Sequence, residues 1–337
     1  MTRFNVPVAF VAAACLAAVA MAQTNALDGP DAHSGRTLRV WGDIAMQSVV
    51  LSWEDHFHRD HPEVGFDNRL MGTDTAMPGL YNGNADIALL GRESNTAEND
   101  GFLHTRQYRP LKLRLMTGSL DAPGKTYAPV VFVHDRLPLD GLTVQQLGSI
   151  LGCGETSGPP PKTWGDLGVT GPWKRQPIHV YTFDAESGTG LFLLQTLLSG
   201  SRKMNWPIIR EFKNGSHRDG TPYPAGEQIM DALLRDPYAL AISSLRYATP
   251  AVKAVKLARG QNSAFVLPTR DTVEDGSYPL SRMTYAFVDR PPGQPVAPLI
   301  SEFLQFIYSP EGREIADQNG FLQLSPADAA AQVKLLK

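Results

Sequence analysis

Two hydrophobic patterns alternate along the first third of the chain. Strict alternation or short apolar runs predict strands at 37–42, 64–70 and 86–90. The apolar residues between the first two strands fall on one helical face: Val49, Val50, Trp53 and Phe57. Strands that alternate with helices predict a parallel sheet covered on both faces, so the fold class is α/β.

Small or polar residues follow these three strands. The loops are Gly42-Asp43, Gly72-Thr73-Asp74-Thr75 and Gly91-Arg92. Ligands of α/β sheets bind beyond the carboxyl ends of the strands. We therefore expect these loops to converge on one site.

The rest of the chain continues the alternation and predicts a second α/β lobe. Strands are predicted at 109–115, 127–134, 239–245 and 280–288, and helices at 142–151, 227–237 and 298–308. The segment 178–198 reads as a buried strand, a tight turn and an amphipathic helix that begins at Ser187.

The helix start at Ser187 is a candidate anion site. The sequence Ser-Gly-Thr-Gly places unpaired backbone N–H groups and two hydroxyls at one spot, where the helix dipole favours negative charge. The simpler interpretation is that Ser187 caps the helix while the glycines let strand and helix pack closely. The residues alone leave both interpretations open.

The N-terminus has the features of a secretory signal. A charged start, an apolar run over 6–21 and the exit Ala20-Met21-Ala22 predict cleavage after Ala22, with 23–35 as a flexible tether. A membrane anchor is disfavoured because Pro7 interrupts a run shorter than the roughly 20 residues a bilayer needs. Lipidation at Cys15 is disfavoured because the leucine-like residue expected three positions earlier is missing. We expect a periplasmic or secreted protein.

Composition narrows the function further. The net charge is −3, and loss of Arg3 with the signal makes it one unit more negative, so nucleic acid and anionic membranes are poor partners. Cleavage leaves Cys153 as the one cysteine, which excludes an internal disulfide and predicts a buried thiol. The histidines at 56, 58 and 61 fit a solvated helix face better than a metal site, and we expect neither metal nor cofactor.

Four groups of motifs, in order along the chain, carry a family resemblance. They are Leu-Thr-Val-Gln-Gln-Leu from Leu142 with Trp-Gly-Asp-Leu-Gly from Trp164, Tyr-Pro-Leu-Ser-Arg from Tyr278, the stretch 303–312, and Gly-Phe-Leu-Gln-Leu from Gly320. Over 36–324 the chain resembles the periplasmic phosphate-binding proteins that feed ABC importers.

The resemblance implies a two-lobe periplasmic binding protein fold of type II-like topology. Each lobe would be a mostly parallel sheet flanked by helices, with the ligand cleft between the lobes. Lobe 1 would comprise 36–120 plus 276–337, and lobe 2 would comprise 121–275. The implied partners are inorganic phosphate or a similar anion and an inner-membrane ABC permease, and we expect a monomer.

The resemblance also implies ligand-binding positions. The family's Ser-Gly-Thr is matched by Ser187, Gly188 and Thr189, and its small hydroxyl residue after the second strand by Thr73. In the first loop the family's hydroxyl and amide fall at Ile44 and Ala45, so only backbone N–H groups are offered there.

Two departures from the family pattern affect this site. Phe183 stands where phosphate binders commonly carry an arginine, and Gly91 stands where many carry the carboxylate that accepts the proton of hydrogen phosphate. Asp43 and Asp74 are candidates to replace the carboxylate. Arg92 is a candidate for the missing cation, with an ion pair as the equal alternative.

Two other functions compete with transport. A relative with an altered ligand or a role in sensing, adhesion or protein binding would explain Phe183 and Gly91. A hydrolase that pairs Ser187 with a histidine is less consistent with the sequence, because the nucleophile elbow needs G-x-S-x-G and this chain has Ala185 and Glu186 before the serine. We expect a binding protein, not an enzyme.

Overall fold

The computed structural model describes residues 36–154 and 159–337. The secretory segment predicted at 1–22 and the tether predicted at 23–35 lie outside these residues. Within the described ranges, no helix is long and apolar enough to cross a membrane.

Strands and helices alternate through the described ranges. The strands are β1 (Thr37–Gly42), β2 (Gly65–Arg69), β3 (Ile87–Leu90), β4 (Leu111–Thr117), β5 (Val130–His134), β6 (Gly141–Thr143), β7 (His179–Phe183), β8 (Ile209–Phe212), β9 (Gly215–Ser216), β10 (Pro222–Tyr223), β11 (Ala239–Ser243), β12 (Val252–Ala254), β13 (Lys256–Ala258), β14 (Met283–Val288) and β15 (Leu322–Gln323). The helices are α1 (Gln47–Asp60), α2 (Thr73–Tyr81), α3 (Thr96–Arg106), α4 (Val144–Leu151), α5 (Gly188–Leu198), α6 (Ala225–Arg235), α7 (Arg270–Glu274), α8 (Pro298–Tyr308), α9 (Pro310–Gln318) and α10 (Pro326–Lys334).

The strands form two main sheets, one in each lobe. The first has the order β15-β4-β14-β3-β1-β2 and the second the order β12-β5-β11-β7-β8. In the first sheet β1 runs parallel to β2 and β3, and in the second β7 runs parallel to β8 and β11. The two-lobe α/β fold is therefore confirmed.

The sheets are mixed, not mostly parallel as predicted. β14 is antiparallel to β3 and β4, and β5 is antiparallel to β11 and β12. The chain leaves the first sheet after β4, builds the second sheet, and returns to the first at β14.

Each sheet takes its strands from different parts of the sequence. The first sheet takes its strands from 37–117 and 283–323, and the second from 130–254. The division into 36–120 plus 276–337 and 121–275 stays a prediction.

The apolar face predicted for the first helix is confirmed. Val49, Val50, Trp53 and Phe57 are at most 2% exposed and pack in one cluster with Phe303 from α8. This burial fixes α1 on the first sheet, so the loop between β1 and α1 is held at the carboxyl edge of the strands.

Three local predictions need correction. The loop predicted at 72–75 is the start of α2 from Thr73 onward. The segment after β3, where no helix is predicted, contains α3, which begins with a capping box of Asn95 and Glu98. Cys153 is exposed, because it lies in the turn after α4, and not buried as expected.

Candidate functional site

A cleft of about 700 Å³ is lined by both lobes. The first lobe contributes Asp43 and Ala45 from the loop after β1, and the second contributes Ser187, Gly188 and Thr189 from the start of α5. The structure thus brings together five of the nine residues predicted as ligand-binding.

The start of α5 is held by its serine cap. The Ser187 hydroxyl accepts a hydrogen bond from the Gly190 N–H at 3.0 Å and donates to the Asp184 carbonyl at 2.6 Å. Gly190 cannot be replaced without movement, because an added Cβ would lie 2.0 Å from the Asp184 oxygen. The capping interpretation of the sequence is therefore correct.

The cap leaves two donors of the same helix turn unpaired. The backbone N–H groups of Gly188 and Thr189 have no hydrogen-bond partner in the part of the chain that the structure describes. Both residues line the cleft. These N–H groups at the helix start can donate hydrogen bonds to a negatively charged ligand.

Asp43 forms the opposite wall. Its backbone N–H donates to the Leu89 carbonyl at 3.1 Å, which ties the loop to the end of β3. One carboxylate oxygen, Oδ1, accepts from the Ala45 N–H at 3.0 Å. The Ala45 amide is therefore engaged by the protein, and the Ile44 side chain is 62% exposed and outside the cleft lining.

The Asp43 carboxylate occupies the space that Gly91 leaves open. A Cβ added to Gly91 would lie 2.7 Å from Asp43 Oδ2 and 2.5 Å from Thr126 Oγ1. Thus a carboxylate lies beside position 91, although it comes from a different strand end.

Arg282 completes the centre of the site and was not predicted there. Its side chain is 4% exposed, and it donates from Nε and Nη2 to the Gly91 carbonyl at 3.1 and 2.7 Å. Nη1 donates to Thr189 Oγ1 at 3.1 Å, and Nη2 lies 3.4 Å from the Gly188 carbonyl. All these acceptors are uncharged.

The electrostatics of Arg282 follow from this burial. Desolvation lowers its pKa to about 10, and the negative charge of Asp43 opposes this shift. The sequence did contain a signal for this residue, since Arg282 ends the Tyr-Pro-Leu-Ser-Arg motif. That motif identified the family, but nothing in it showed that the arginine reaches the start of α5.

Besides Ile44, three predicted residues lie outside the cleft lining: Thr73, Asp74 and Arg92. The Arg92 guanidinium makes two 2.8 Å hydrogen bonds to the buried carboxylate of Glu98. Asp74 lies 3.6 Å from Arg92 with its side chain 82% exposed. Of the two roles that the sequence allows for Arg92, the structure shows the ion pair.

No group of three or more histidine, cysteine, aspartate or glutamate side chains suited to a metal ion is found in the described ranges.

Phe183, at the position of the family's arginine, lines the cleft with its ring centroid 6.3 Å from that of Tyr127. The cleft thus combines amide and guanidinium donors with an aromatic side wall.

The two lobes, the cleft between them and the anion-directed donors define the class of a two-lobe solute-binding protein. The chain belongs to the PBP superfamily, whose domain model matches residues 29–311. The resemblance inferred from the motifs is confirmed at the level of the family.

Named relatives agree with this assignment. The phosphate-binding protein PstS of Pseudomonas aeruginosa is 28% identical over 342 residues, covering 100% of this chain and 99% of that protein. An ABC-type phosphate transport receptor from Vibrio cholerae superposes with a TM-score of 0.55 at 18% identity, covering 85% of this chain and 99% of that one. PstS from Borrelia burgdorferi gives a TM-score of 0.59 at 13% identity, with coverage of 86% and 99%. The two structures support the fold.

Proposed function

We propose that this chain is an exported solute-binding protein that captures inorganic phosphate in the cleft for an ABC importer. The observation that carries the proposal is the buried guanidinium of Arg282, whose hydrogen-bond acceptors are all neutral. Asp43 acts on this charge but forms no ion pair with it in the described ranges, and a buried charge without a paired counterion is unfavourable. An oxyanion that binds next to Arg282 and next to the free N–H groups of α5 would be that counterion.

The ligand set follows from the cleft. We assign donor roles to Gly188, Thr189 and Arg282, with Ser187 as the cap that positions them. Charge-assisted hydrogen bonds of this kind contribute roughly 1.5–3 kcal/mol each. Thr73, Asp74 and Arg92 are assigned supporting roles outside the ligand shell.

Asp43 is the proposed acceptor in this site. Its Oδ2 lies beside position 91, and a carboxylate there repels an anion unless the anion brings a proton to share. Hydrogen phosphate carries such a proton at neutral pH, whereas sulfate does not. We therefore expect phosphate and arsenate to bind and sulfate to be rejected.

Calorimetry on ligand-stripped protein tests the assignment. Thr189→Val removes one cleft hydroxyl with little change in shape, and we expect about tenfold weaker phosphate binding. Thr73→Val is the matched control, since Thr73 is outside the cleft lining, and should leave the affinity unchanged. A wild-type protein that gives neither heat nor a thermal shift with phosphate would contradict the proposal.

The importer role rests on the relatives, which are named as phosphate-binding proteins and transport receptors. Their names give no support to the non-transport alternative or to a hydrolase. A deletion strain grown on limiting phosphate should take up less phosphate and recover with the wild-type gene. Unchanged uptake would argue against the transport role while leaving phosphate binding intact.

A further inference from the structure

The charged side chains of the cleft differ in whether they have a partner. Lys213 Nζ lies 2.6 Å from the Asp184 carboxylate, and Glu186 is paired with Arg202. Lys125 also lines the cleft, yet it has no carboxylate within ion-pair distance in the residues that the structure describes. Its charge is therefore not neutralised by the protein.

Lys125 is nevertheless held in place. Its ammonium donates a hydrogen bond to the Ser48 hydroxyl and lies 5.6 Å from the centroid of the Phe321 ring. Both contacts come from the first lobe. A lysine with a hydroxyl and an aromatic face as its neighbours keeps two N–H donors free.

The position of Ser48 makes this neighbourhood electropositive. Ser48 is the second residue of α1, so the lysine sits at the helix end that carries partial positive charge. Partial burial lowers the pKa of Lys125, as expected for a cation without a counterion. Two positive groups at one place favour an anion nearby.

The backbone around Lys125 connects this cation to the proposed anion site. It belongs to the segment between β4 and β5, and the next residue, Thr126, has its hydroxyl beside position 91 and Asp43. Gly124, Lys125, Thr126 and Tyr127 all line the cleft. This connecting segment therefore forms part of the wall on which the anion would sit.

We propose that Lys125 supplies the second cation of the anion site. It acts from the segment between β4 and β5, held against the first lobe by Ser48 and Phe321, and replaces part of the electrostatic attraction that Phe183 cannot provide from the second lobe. The inference rests on the proposed function and adds to it a residue that determines affinity. Because Lys125 is partly exposed, its contribution is screened by salt.

Phosphate titrations of the ligand-stripped full chain at low and high ionic strength test this inference. We expect Lys125→Met to weaken binding about five- to tenfold at low ionic strength and less at high ionic strength. Lys125→Arg should stay within about twofold of wild type, because it keeps the charge. The double variant Lys213→Met/Asp184→Asn removes a paired lysine of the same cleft together with its carboxylate partner, so it should also stay within about twofold.

The outcomes separate the two proposals. Wild-type affinity and salt dependence in Lys125→Met, or an equal loss in Lys213→Met/Asp184→Asn, would overturn the role of Lys125 while phosphate binding stands. Failure of the wild type to bind phosphate would instead overturn the proposed function. Equal thermal stability of the variants excludes misfolding as the cause of a lost affinity.

Discussion

The two walls of the cleft are assembled from the chain in different ways. The second-lobe wall around the anion donors comes from one continuous segment, in which β7, a turn and α5 follow each other over 179–198. The opposite wall joins Asp43 and Gly91 of the first lobe with Thr126 of the segment between β4 and β5 and with Arg282, which is distant in sequence. Local sequence determines the wall that is built from one segment. The opposite wall depends on how strands pair across the sheet.

The sharpest contrast lies between the two buried arginines of the first lobe. Arg92 is neutralised by Glu98, whereas the acceptors of Arg282 in the described part of the chain are neutral. Arg92→Met leaves a carboxylate buried without its partner, so we expect a loss of about 3–5 kcal/mol in the free energy of unfolding. Phosphate affinity of the folded protein should remain within about twofold of wild type.

Arg282→Met should show the opposite behaviour, with about hundredfold weaker phosphate binding and a smaller change in stability. Urea unfolding and calorimetry measure the two effects. The Arg92→Met/Glu98→Met double variant is the control and should regain most of the lost stability, because no unpaired charge remains. Equal losses of affinity in both single arginine variants would remove the distinction between a structural and a ligand-binding arginine.

The second contrast is within the wall built from one segment. Gly190→Ala would place a Cβ 2.0 Å from the Asp184 carbonyl, so we expect about 3 kcal/mol of destabilisation, measured by urea unfolding. Gly188→Ala is the matched control, because an added Cβ there meets nothing within 4 Å. It should be neutral or stabilising by up to ~1 kcal/mol. Similar stabilities for the two variants would mean that the turn does not need its close strand-helix contact.

These differences explain what the sequence could predict. The face of α1, the bounds of β1 and α8, and the cap at Ser187 rest on periodicity and local turn chemistry, and all are found in the structure. The helix α3 was missed although its capping box at Asn95 and Glu98 is visible in the sequence. Its weak apolar face made the stretch resemble a polar loop.

The candidate site was less predictable for a geometric reason. Side chains at strand ends project from the sheet at angles that periodicity does not determine. Arg92 therefore turns to Glu98, while Asp43 turns beside Gly91. Arg282 contacts the site because β14 pairs antiparallel with β3, and this pairing has no local signature.

The third contrast is between two neighbouring carboxylates of α1, the buried Glu54 and the exposed Asp55, and it concerns how stability depends on pH. Glu54 is 6% exposed on α1, and burial raises its pKa from 4.5 to about 7 against the opposing hydrogen bond from Asn68. The folded state then holds a proton that the unfolded state has already released between these two pH values. Stability should therefore fall by up to ~3 kcal/mol as pH rises from about 4.5 to about 7.

Glu54→Gln should remove this slope, as measured by urea unfolding across the pH range. Glu54 Oε1 and Asn68 Oδ1 are both buried and find no hydrogen-bond partner among residues 36–154 and 159–337, and a proton on the carboxyl gives the pair an additional donor. Asp55→Asn on the same helix is the control, because Asp55 is 73% exposed and its loss should leave the slope unchanged. A wild-type slope in Glu54→Gln would place the titrating group elsewhere.

The smallest effect compares one helix cap from each lobe. Asn95 accepts from the Glu98 N–H at 2.9 Å at the start of α3, and Ser187 accepts from the Gly190 N–H at 3.0 Å at the start of α5. Replacing either by alanine should lower the free energy of unfolding by about 1 kcal/mol, because one helix donor loses its acceptor. Only the second cap positions donors toward the cleft, so Ser187→Ala should also weaken phosphate binding about threefold, while Asn95→Ala should not. If both variants lose stability and neither loses affinity, then Ser187 caps α5 without orienting donors for the anion. The anion must then be held by Arg282 and the wall that contains Asp43.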